Sequence, residues 1–259
     1  MNRLSRLFQS KNRDLLNIYF TAGYPRLNDT VPVLRALEQN GVDLVEIGMP
    51  YSDPLADGPT IQESGSRAIE NGMTLPRLFE QIRTFRASSD LPLILMGYFN
   101  QVMQFGDQKF IDTCREVGID GVILPDLPLH EYEAQYRARF EAADLHFSFL
   151  VTPQTEPERI RRIDELTRGF IYMVSSSSIT GKSGGISAEQ IAYFERIAAM
   201  GLNNPRLIGF GISDHASFST ACRYANGAII GSAFIRALAA GREDVGLATE
   251  RFVRMVRGV

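Results

Sequence analysis

Eight short apolar segments, spaced along the whole chain, limit the choice of fold more than any other feature of the sequence. Their aliphatic residues form continuous runs instead of alternating with polar ones, which is typical of strands buried on both faces of a parallel sheet. The eight predicted strands are 16–21, 44–48, 93–96, 121–124, 147–151, 170–174, 206–209 and 227–230.

Amphipathic stretches of helical periodicity separate these runs. The first, 30–39, carries Val31, Val33, Leu34 and Leu37 on one face and stops before Gly41, a good C-terminal stop signal. The other predicted helices are 75–85, 109–117, 131–143, 157–166, 188–200, 216–224 and 245–256, with a further helical run at 60–71.

Eight strand–helix units predict a single-domain (β/α)8 TIM barrel over residues 1–259. The alternative is an open doubly wound sheet, which would usually show a GxGxxG turn after its first strand. Here the first strand leads instead into Thr-Ala-Gly-Tyr-Pro at 21–25, so the barrel is favoured. An extra helix at 2–10, with a stripe of Leu4, Leu7 and Phe8, is expected to plug the lower end of the barrel.

The composition of the chain limits the functions that it can have. The 259 residues carry a formal net charge of −3, which offers no surface for nucleic acid. The two cysteines, Cys114 and Cys222, are far apart in sequence, which favours free thiols in a reducing compartment. The N-terminus has no signal-peptide pattern, and the longest apolar run, around 91–99, is too short for a membrane helix. We therefore expect a cytoplasmic protein with no membrane association.

In such barrels the active site lies at the carboxyl ends of the strands, and Glu46 lies near the end of the second strand. Its neighbours Val45, Ile47 and Met49 are apolar, so burial should raise the pKa of its carboxyl group. A carboxyl group tuned in this way suits proton transfer at physiological pH. The alternative is a structural acid paired with Lys or Arg.

The loop at 50–59 follows this strand and combines Asp53 and Asp57 with three prolines. Proline and Asp-Gly pairs restrict a loop to few conformations. Asp57 could cap the helical run that follows, or it could accept a hydrogen bond from a substrate N–H or O–H group. The sequence leaves both roles open.

Glycine-containing turns follow the seventh and eighth strands, at 209–211 and 231–233. In this fold such turns hold phosphate with backbone N–H groups, although ordinary strand–helix turns also favour glycine. The small-residue segment 175–185 is expected to be a lid, with a plain surface loop as the alternative. Its Gly181 could bring a backbone N–H group close to an anion.

The three histidines, His130, His146 and His215, show no metal-ligand spacing, so no metal is expected. Together these features predict acid–base catalysis, without metal or cofactor, on a small phosphate ester.

The stretch VEIGMPYSDPLADGPTIQ, residues 45–62, resembles the signature of the tryptophan synthase alpha subunit family, and the resemblance extends over essentially the whole chain. It implies cleavage of indole-3-glycerol phosphate to indole and glyceraldehyde 3-phosphate. By position, Glu46 is then the general acid–base, Asp57 the acceptor for the indole N–H group, and Tyr172 a neighbour of the reacting groups. The implied substrate-binding residues are Tyr19, Tyr98, Ile123, Thr180, Gly181, Phe210, Gly211, Gly231 and Ser232.

The resemblance also implies a partner, a beta subunit that binds pyridoxal phosphate and converts indole to L-tryptophan within an alpha2beta2 heterotetramer. The chain itself would hold no cofactor, and Asp53 and Pro54 would contact the partner. One departure is Ser176, where many members carry Arg, so lid closure would rely on hydroxyl and backbone contacts, with Lys182 as a partial substitute.

Two alternatives remain open at this stage. Another phosphate-binding barrel, such as an epimerase or a synthase, would usually need a metal with His ligands or a catalytic Lys at a strand end, and the predicted strands contain no Lys. A regulatory subunit retained only for binding its partner would not need both Glu46 and Asp57.

Overall fold

A computed structural model describes residues 1–175, 186–209 and 211–259 of the chain. Its strands form one sheet in the order β5-β4-β3-β2-β1-β9-β8-β7-β6, and every neighbouring pair is parallel. The strands are β1 Leu15–Thr21, β2 Leu44–Gly48, β3 Leu93–Met96, β4 Gly121–Ile123, β5 His146–Phe147, β6 Leu150–Val151, β7 Ile171–Val174, β8 Arg206–Gly209 and β9 Gly227–Ile230.

The sheet closes through the short strands β5 and β6. They lie at opposite ends of the strand order, yet only Ser148 and Phe149 separate them in sequence. The Ser148 N–H group donates to the Val122 carbonyl oxygen on one side, and Phe149 accepts from the Tyr172 N–H group on the other. The predicted strand 147–151 is therefore divided into two pieces, because its first half pairs with β4 and its second half with β7. The predicted eight-stranded barrel is confirmed.

Helices surround the barrel on its outer face and across one end. They are α1 Arg3–Ser10, α2 Thr30–Gln39, α3 Pro59–Glu70, α4 Leu75–Arg86, α5 Phe99–Phe105, α6 Asp107–Val117, α7 Leu129–Glu131, α8 Arg137–Ala142, α9 Pro157–Leu166, α10 Ala188–Ala198, α11 His215–Tyr224, α12 Ser232–Ala240 and α13 Val245–Arg257. The predicted helix 131–143 is interrupted by a π-helical turn, Tyr132–Tyr136, and α5 and α12 were not predicted. Among the described residues, no helix is both long and apolar enough to cross a membrane.

Alternation along the strands divides the core into two layers. On β1, Leu16, Ile18 and Phe20 pack outward in the large cluster under the helices, whereas Leu15 and Tyr19 belong to a smaller cluster. The smaller cluster fills the barrel interior and includes Leu44, Ile94, Ile123, Phe170, Tyr172, Leu207 and Ile229. Because side chains alternate on a strand, Asn17 and Glu46 also point into this interior.

The helix α1 lies against the amino ends of the strands, as the sequence predicts. Its Leu4 is fully buried in the interior cluster with Leu15 and Leu44. Arg3 beside it forms an ion pair with the buried Asp120, which also pairs with Arg86. Among the described residues, this end of the barrel is covered by α1, and the carboxyl ends of the strands lie at the opposite end.

Candidate active site

Glu46 lies inside the barrel with no solvent exposure. Its Oε1 atom accepts a hydrogen bond from Nδ2 of Asn17 over 2.7 Å, and its Oε2 atom has no partner among the described residues. Burial raises the pKa of Glu46 to about 8, and the hydrogen bond from Asn17 opposes that rise. In the described part of the chain no Lys or Arg pairs with it, so none of these residues supplies the structural ion pair considered from the sequence. Burial thus favours the protonated form of this carboxyl group.

Asp57 follows the same strand through the proline-rich loop. Its Oδ2 atom accepts a hydrogen bond from the Tyr98 hydroxyl group over 3.0 Å. The next helix, α3, is capped by Gly58 without any side-chain bond, so Asp57 does not act as its cap. Burial raises the pKa of Asp57, while the bond from Tyr98 favours its charged form. The Asp57 side chain is therefore held against Tyr98, the residue that caps α5.

Two tyrosines lie close enough to both carboxyl groups to feel their charges. The charges of Asp57 and Glu46 both raise the pKa of Tyr19 and of Tyr172, although burial is the larger cause for each phenol. Tyr19 pairs directly with Glu46 in the sheet register. Four of the residues implied for the site, two acids and two phenols, are thus brought together at one end of the barrel.

Glycines on the neighbouring strands make room for these rings. A Cβ atom on Gly48 would lie 2.1 Å from the Tyr19 hydroxyl oxygen, and one on Gly209 would lie 2.3 Å from that of Tyr172. Such distances are far below van der Waals contact. Both strand ends therefore need glycine for the phenols to occupy the interior.

The loop between the two acids is held by side chains of α5 and its cap. The Tyr51 and Tyr98 rings stack with centroids 5.1 Å apart, and Asn100 Nδ2 donates to the Tyr51 hydroxyl oxygen over 2.8 Å. Gln101 Nε2 donates to the Pro50 carbonyl oxygen over 2.8 Å. The loop thus has one fixed path at its base.

The tip of this loop projects into solvent. Asp53 is exposed, Pro54 is half-buried, and the Leu55 side chain is 84% exposed. The side chain of Asp53 accepts a hydrogen bond from Ser52. Neither Asp53 nor Pro54 reaches the interior, which separates them from Asp57.

The implied phosphate-binding turns lie beside the same interior. Gly231 is the N-cap of α12 and Ser232 is its first residue, and the cap, a glycine, offers no side chain to the first N–H groups of the helix. A Cβ atom on Gly231 would lie 3.3 Å from the Tyr19 ring, and Gly211 has a left-handed φ of 78°. Ile123 is fully buried in the interior cluster. Thr180, Gly181 and Phe210, as well as Ser176 and Lys182, lie outside the described residues.

Metal ligands do not gather here. Within residues 1–175, 186–209 and 211–259, no group of three His, Cys, Asp or Glu side chains could hold an ion. His146 begins β5, at the closed end of the barrel, where its Nε2 atom lies 3.3 Å from the Ser5 hydroxyl oxygen.

Two residues of the site were missed from the sequence. Asn17 contacts Glu46. The sequence contains a sign of this, because Asn17 is a polar residue two positions before Tyr19 and therefore lies on the same face of the strand. Tyr51 stacks on Tyr98, and no sequence pattern indicated that contact. The amide could have been found by applying strand alternation to the first apolar run.

Comparison with known proteins identifies the family. The family model described as tryptophan synthase alpha chain matches residues 6–257. The tryptophan synthase alpha chain of Flavobacterium johnsoniae is 55% identical over 92% of this chain and 94% of that protein. The alpha chain of Phocaeicola vulgatus is 50% identical over 99% of this chain and 100% of that protein.

Solved structures agree. The alpha subunit of Legionella pneumophila superposes with a TM-score of 0.90 at 30% identity, over 100% of this chain and 98% of that one. A chain of the tryptophan synthase complex of Pyrococcus furiosus superposes with a TM-score of 0.87 at 30% identity, over 95% of this chain and 99% of that one. The resemblance seen in the sequence is confirmed, and the chain belongs to the tryptophan synthase alpha chain family.

Proposed function

We propose that this chain cleaves indole-3-glycerol phosphate to indole and glyceraldehyde 3-phosphate, a retro-aldol reaction of a carbon–carbon lyase. One observation carries the proposal beyond family membership. Glu46, whose pKa is raised to about 8 by burial, faces the same two phenols as Asp57, the loop acid held by Tyr98. Two carboxyl groups in such different environments can divide acid and anion roles between them.

The reaction needs a proton at indole C3 and the removal of a hydroxyl proton from the glycerol side chain. Protonated Glu46 gives its proton to C3, which breaks the aromaticity of the five-membered ring and leaves positive charge on the ring nitrogen. Asp57 accepts the hydrogen bond of that N–H group and stabilises the charge. Tyr172 lies beside the reacting groups and excludes water.

The carbon–carbon bond then breaks. The Glu46 carboxylate accepts the proton of the glycerol hydroxyl group, and the electrons of that O–H bond form the aldehyde carbonyl of glyceraldehyde 3-phosphate. The electrons of the broken carbon–carbon bond restore the indole ring and neutralise its nitrogen. Glu46 ends the cycle protonated, as it began, so no other proton donor is required.

Binding follows from the surroundings of the acids. Tyr19, Tyr98 and Ile123 are the proposed walls of the indole pocket, since Tyr19 and Ile123 belong to the interior cluster and Tyr98 is nearly buried and bonded to Asp57. The phosphate is assigned to backbone N–H groups of Gly211, Gly231 and Ser232, because the first N–H groups of a helix such as α12 have no partner within the helix. Thr180, Gly181 and Phe210 complete the proposed substrate contacts on the strength of the sequence resemblance alone.

We also propose a beta-subunit partner in an alpha2beta2 assembly, with pyridoxal phosphate bound by the partner. Asp53 and Pro54 are the proposed contacts, and the exposed Leu55 between them and the acid supports this, because an apolar side chain on a constrained loop suits an interface. The free, buried thiols of Cys114 and Cys222 fit the cytoplasm as the proposed location.

The function is tested by mixing the purified chain with indole-3-glycerol phosphate and following indole, with and without a beta subunit. We expect indole in both cases, with more when the beta subunit is present. No indole in either case would refute the proposal. Glu46→Gln should nearly abolish indole formation while still binding glyceraldehyde 3-phosphate. An exposed-loop variant, Asp53→Asn, should keep turnover in the isolated chain and weaken association with the partner.

A further inference from the structure

Asn17 is an amide in an otherwise apolar part of the barrel interior. It lies on the inward face of β1 between Leu15 and Tyr19 and has no solvent exposure. In the sheet register Asn17 pairs with Leu44, whereas Glu46 pairs with Tyr19. Its side chain therefore extends along the barrel axis to reach the Glu46 carboxyl group, with the Nδ2 and Oε1 atoms 2.7 Å apart.

This hydrogen bond distinguishes the two oxygens of Glu46. In a protonated carboxyl group the carbonyl oxygen is the better acceptor, and the hydroxyl oxygen carries the proton. Since Oε1 accepts the N–H group of Asn17, the proton is directed to Oε2. Oε2 is buried and has no partner among the described residues, so its O–H group remains available to another molecule.

The Oδ1 atom of Asn17 indicates that packing does not explain why an amide occupies this position. The Oδ1 atom of Asn17 is buried and also lacks a partner among the described residues. A buried acceptor without a partner lowers the stability of the fold, and an aliphatic residue at this position would avoid that loss. The contact with Glu46 is the interaction that the amide makes and that an aliphatic residue could not.

We propose that Asn17 is a positioning residue, which holds Glu46 with Oε1 as acceptor and Oε2 as the oxygen that carries the transferred proton. This inference rests on the proposed role of Glu46. When the Oε2–H bond breaks and its proton passes to indole C3, the electron pair stays on the carboxylate and is shared with Oε1. The N–H bond from Asn17 then has a charged acceptor and becomes stronger. Asn17 therefore stabilises the transition state more than the ground state.

Few ionisable groups surround Glu46 in the described structure. The groups that face it are Tyr19 on β1, Tyr172 on β7 and Asp57 in the loop after β2, while the inward residues on β3, β8 and β9 are Ile94, Leu207 and Ile229. Both phenols stay neutral because burial raises their pKa. A change at Asn17 should therefore act on the titration of Glu46 and leave that of Asp57 in place.

The test is the pH dependence of indole formation in Asn17→Leu and Asn17→Asp. Loss of the N–H donor should raise the pKa of Glu46, so the basic limb of the kcat profile should move up by about one pH unit. We expect kcat at pH 7 to fall about tenfold, because a weaker acid gives up its proton less readily. In Asn17→Asp two adjacent carboxyl groups share a proton, which moves the limb in the same direction. The acid limb should not move.

The control is Thr249→Val, which removes a buried hydroxyl group on α13 far from the barrel interior. It should leave both limbs in place. A pH titration by infrared absorption, with the Glu46 signal assigned from its loss in Glu46→Gln, gives the same pKa without turnover. Because Asn17→Asp keeps the size of the side chain, it still tests the role of Asn17 if Asn17→Leu does not fold.

The outcomes separate the two proposals. A wild-type chain that forms no indole overturns the proposed function, whatever Asn17 does to the infrared titration. If the wild type is active but the Asn17 variants leave both the pKa of Glu46 and the basic limb unchanged, the proposed role of Asn17 is wrong. A limb that moves together with the infrared titration supports it.

Discussion

The Tyr98 hydroxyl group donates a hydrogen bond to Asp57 Oδ2 over 3.0 Å and accepts one from the Ala56 N–H group over 2.9 Å. It therefore joins the loop after β2 to the start of α5, at the residue proposed to bind the indole N–H group. The bond favours the charged form of Asp57 against the effect of burial.

Tyr98→Phe should make Asp57 harder to ionise. The pKa of Asp57, already raised by burial, should rise further when the donor is lost. The acid limb of the kcat/KM profile for indole formation should therefore move to higher pH, by up to about one pH unit. Tyr51→Phe is the matched control, because it keeps the ring stack and loses only the bond from Asn100. Equal shifts in both variants would contradict the prediction.

Asp57→Asn should show whether the site needs the negative charge of Asp57 or only the shape of its side chain. Since Asp57 does not cap α3, the amide should leave the free energy of unfolding within about 0.5 kcal/mol of the wild type. Its indole formation should fall at least about 100-fold, because the neutral side chain cannot stabilise positive charge on the ring. Urea unfolding and single-turnover assays measure the two quantities. An active variant would remove Asp57 from the mechanism.

Glu46→Gln should stabilise the fold at alkaline pH. The folded pKa of Glu46 is about 8 against an ordinary value of 4.5, so between these values the native state holds a proton that the unfolded chain has lost. Wild-type stability therefore falls as pH rises through this window. At pH 8 the variant should be more stable by about 1–3 kcal/mol, and near pH 4.5 the gain should vanish. Thermal unfolding at both pH values, with the exposed Glu158→Gln as control, tests this.

His146 should make the fold sensitive to acid. Burial lowers its pKa to about 4 from an ordinary value of 6.5, so below pH 6.5 the unfolded chain binds a proton that the native state does not. Stability should therefore fall from pH 6.5 to pH 4, by about 1–3 kcal/mol from this residue. His146→Gln should flatten that slope. His130→Gln, at a side chain 80% exposed, should leave the slope unchanged.

Gly48→Ala should displace Tyr19 from the interior. The new Cβ atom would lie 2.1 Å from the phenol oxygen, so the ring must move, at a cost of about 1–3 kcal/mol in unfolding free energy. We expect a large rise in KM for indole-3-glycerol phosphate. Gly65→Ala is the control, because its Cβ atom in α3 would meet nothing closer than 3.9 Å. If the two variants behaved alike, the crowding at Gly48 would have no functional meaning.

The sequence by itself determined the architecture. Continuous apolar runs and helical periodicity predict eight strand–helix units, because a strand buried on both faces and a helix buried on one face each leave a pattern in the chain. The same patterns placed Glu46 at a strand end and α1 at the closed end of the barrel. These patterns predicted one strand at 147–151, whereas the structure has two, β5 and β6, because each pairs with a different neighbouring strand.

Only the tertiary structure decided which side chains meet. Whether Asp57 caps a helix or bonds to Tyr98 depends on the path of the loop, and the sequence allowed both. The amide of Asn17 on Glu46 depends on the register between β1 and β2, which no local pattern encodes. The physical reason is that propensity and periodicity act over a few residues, whereas these two hydrogen bonds join residues that are 29 and 41 positions apart.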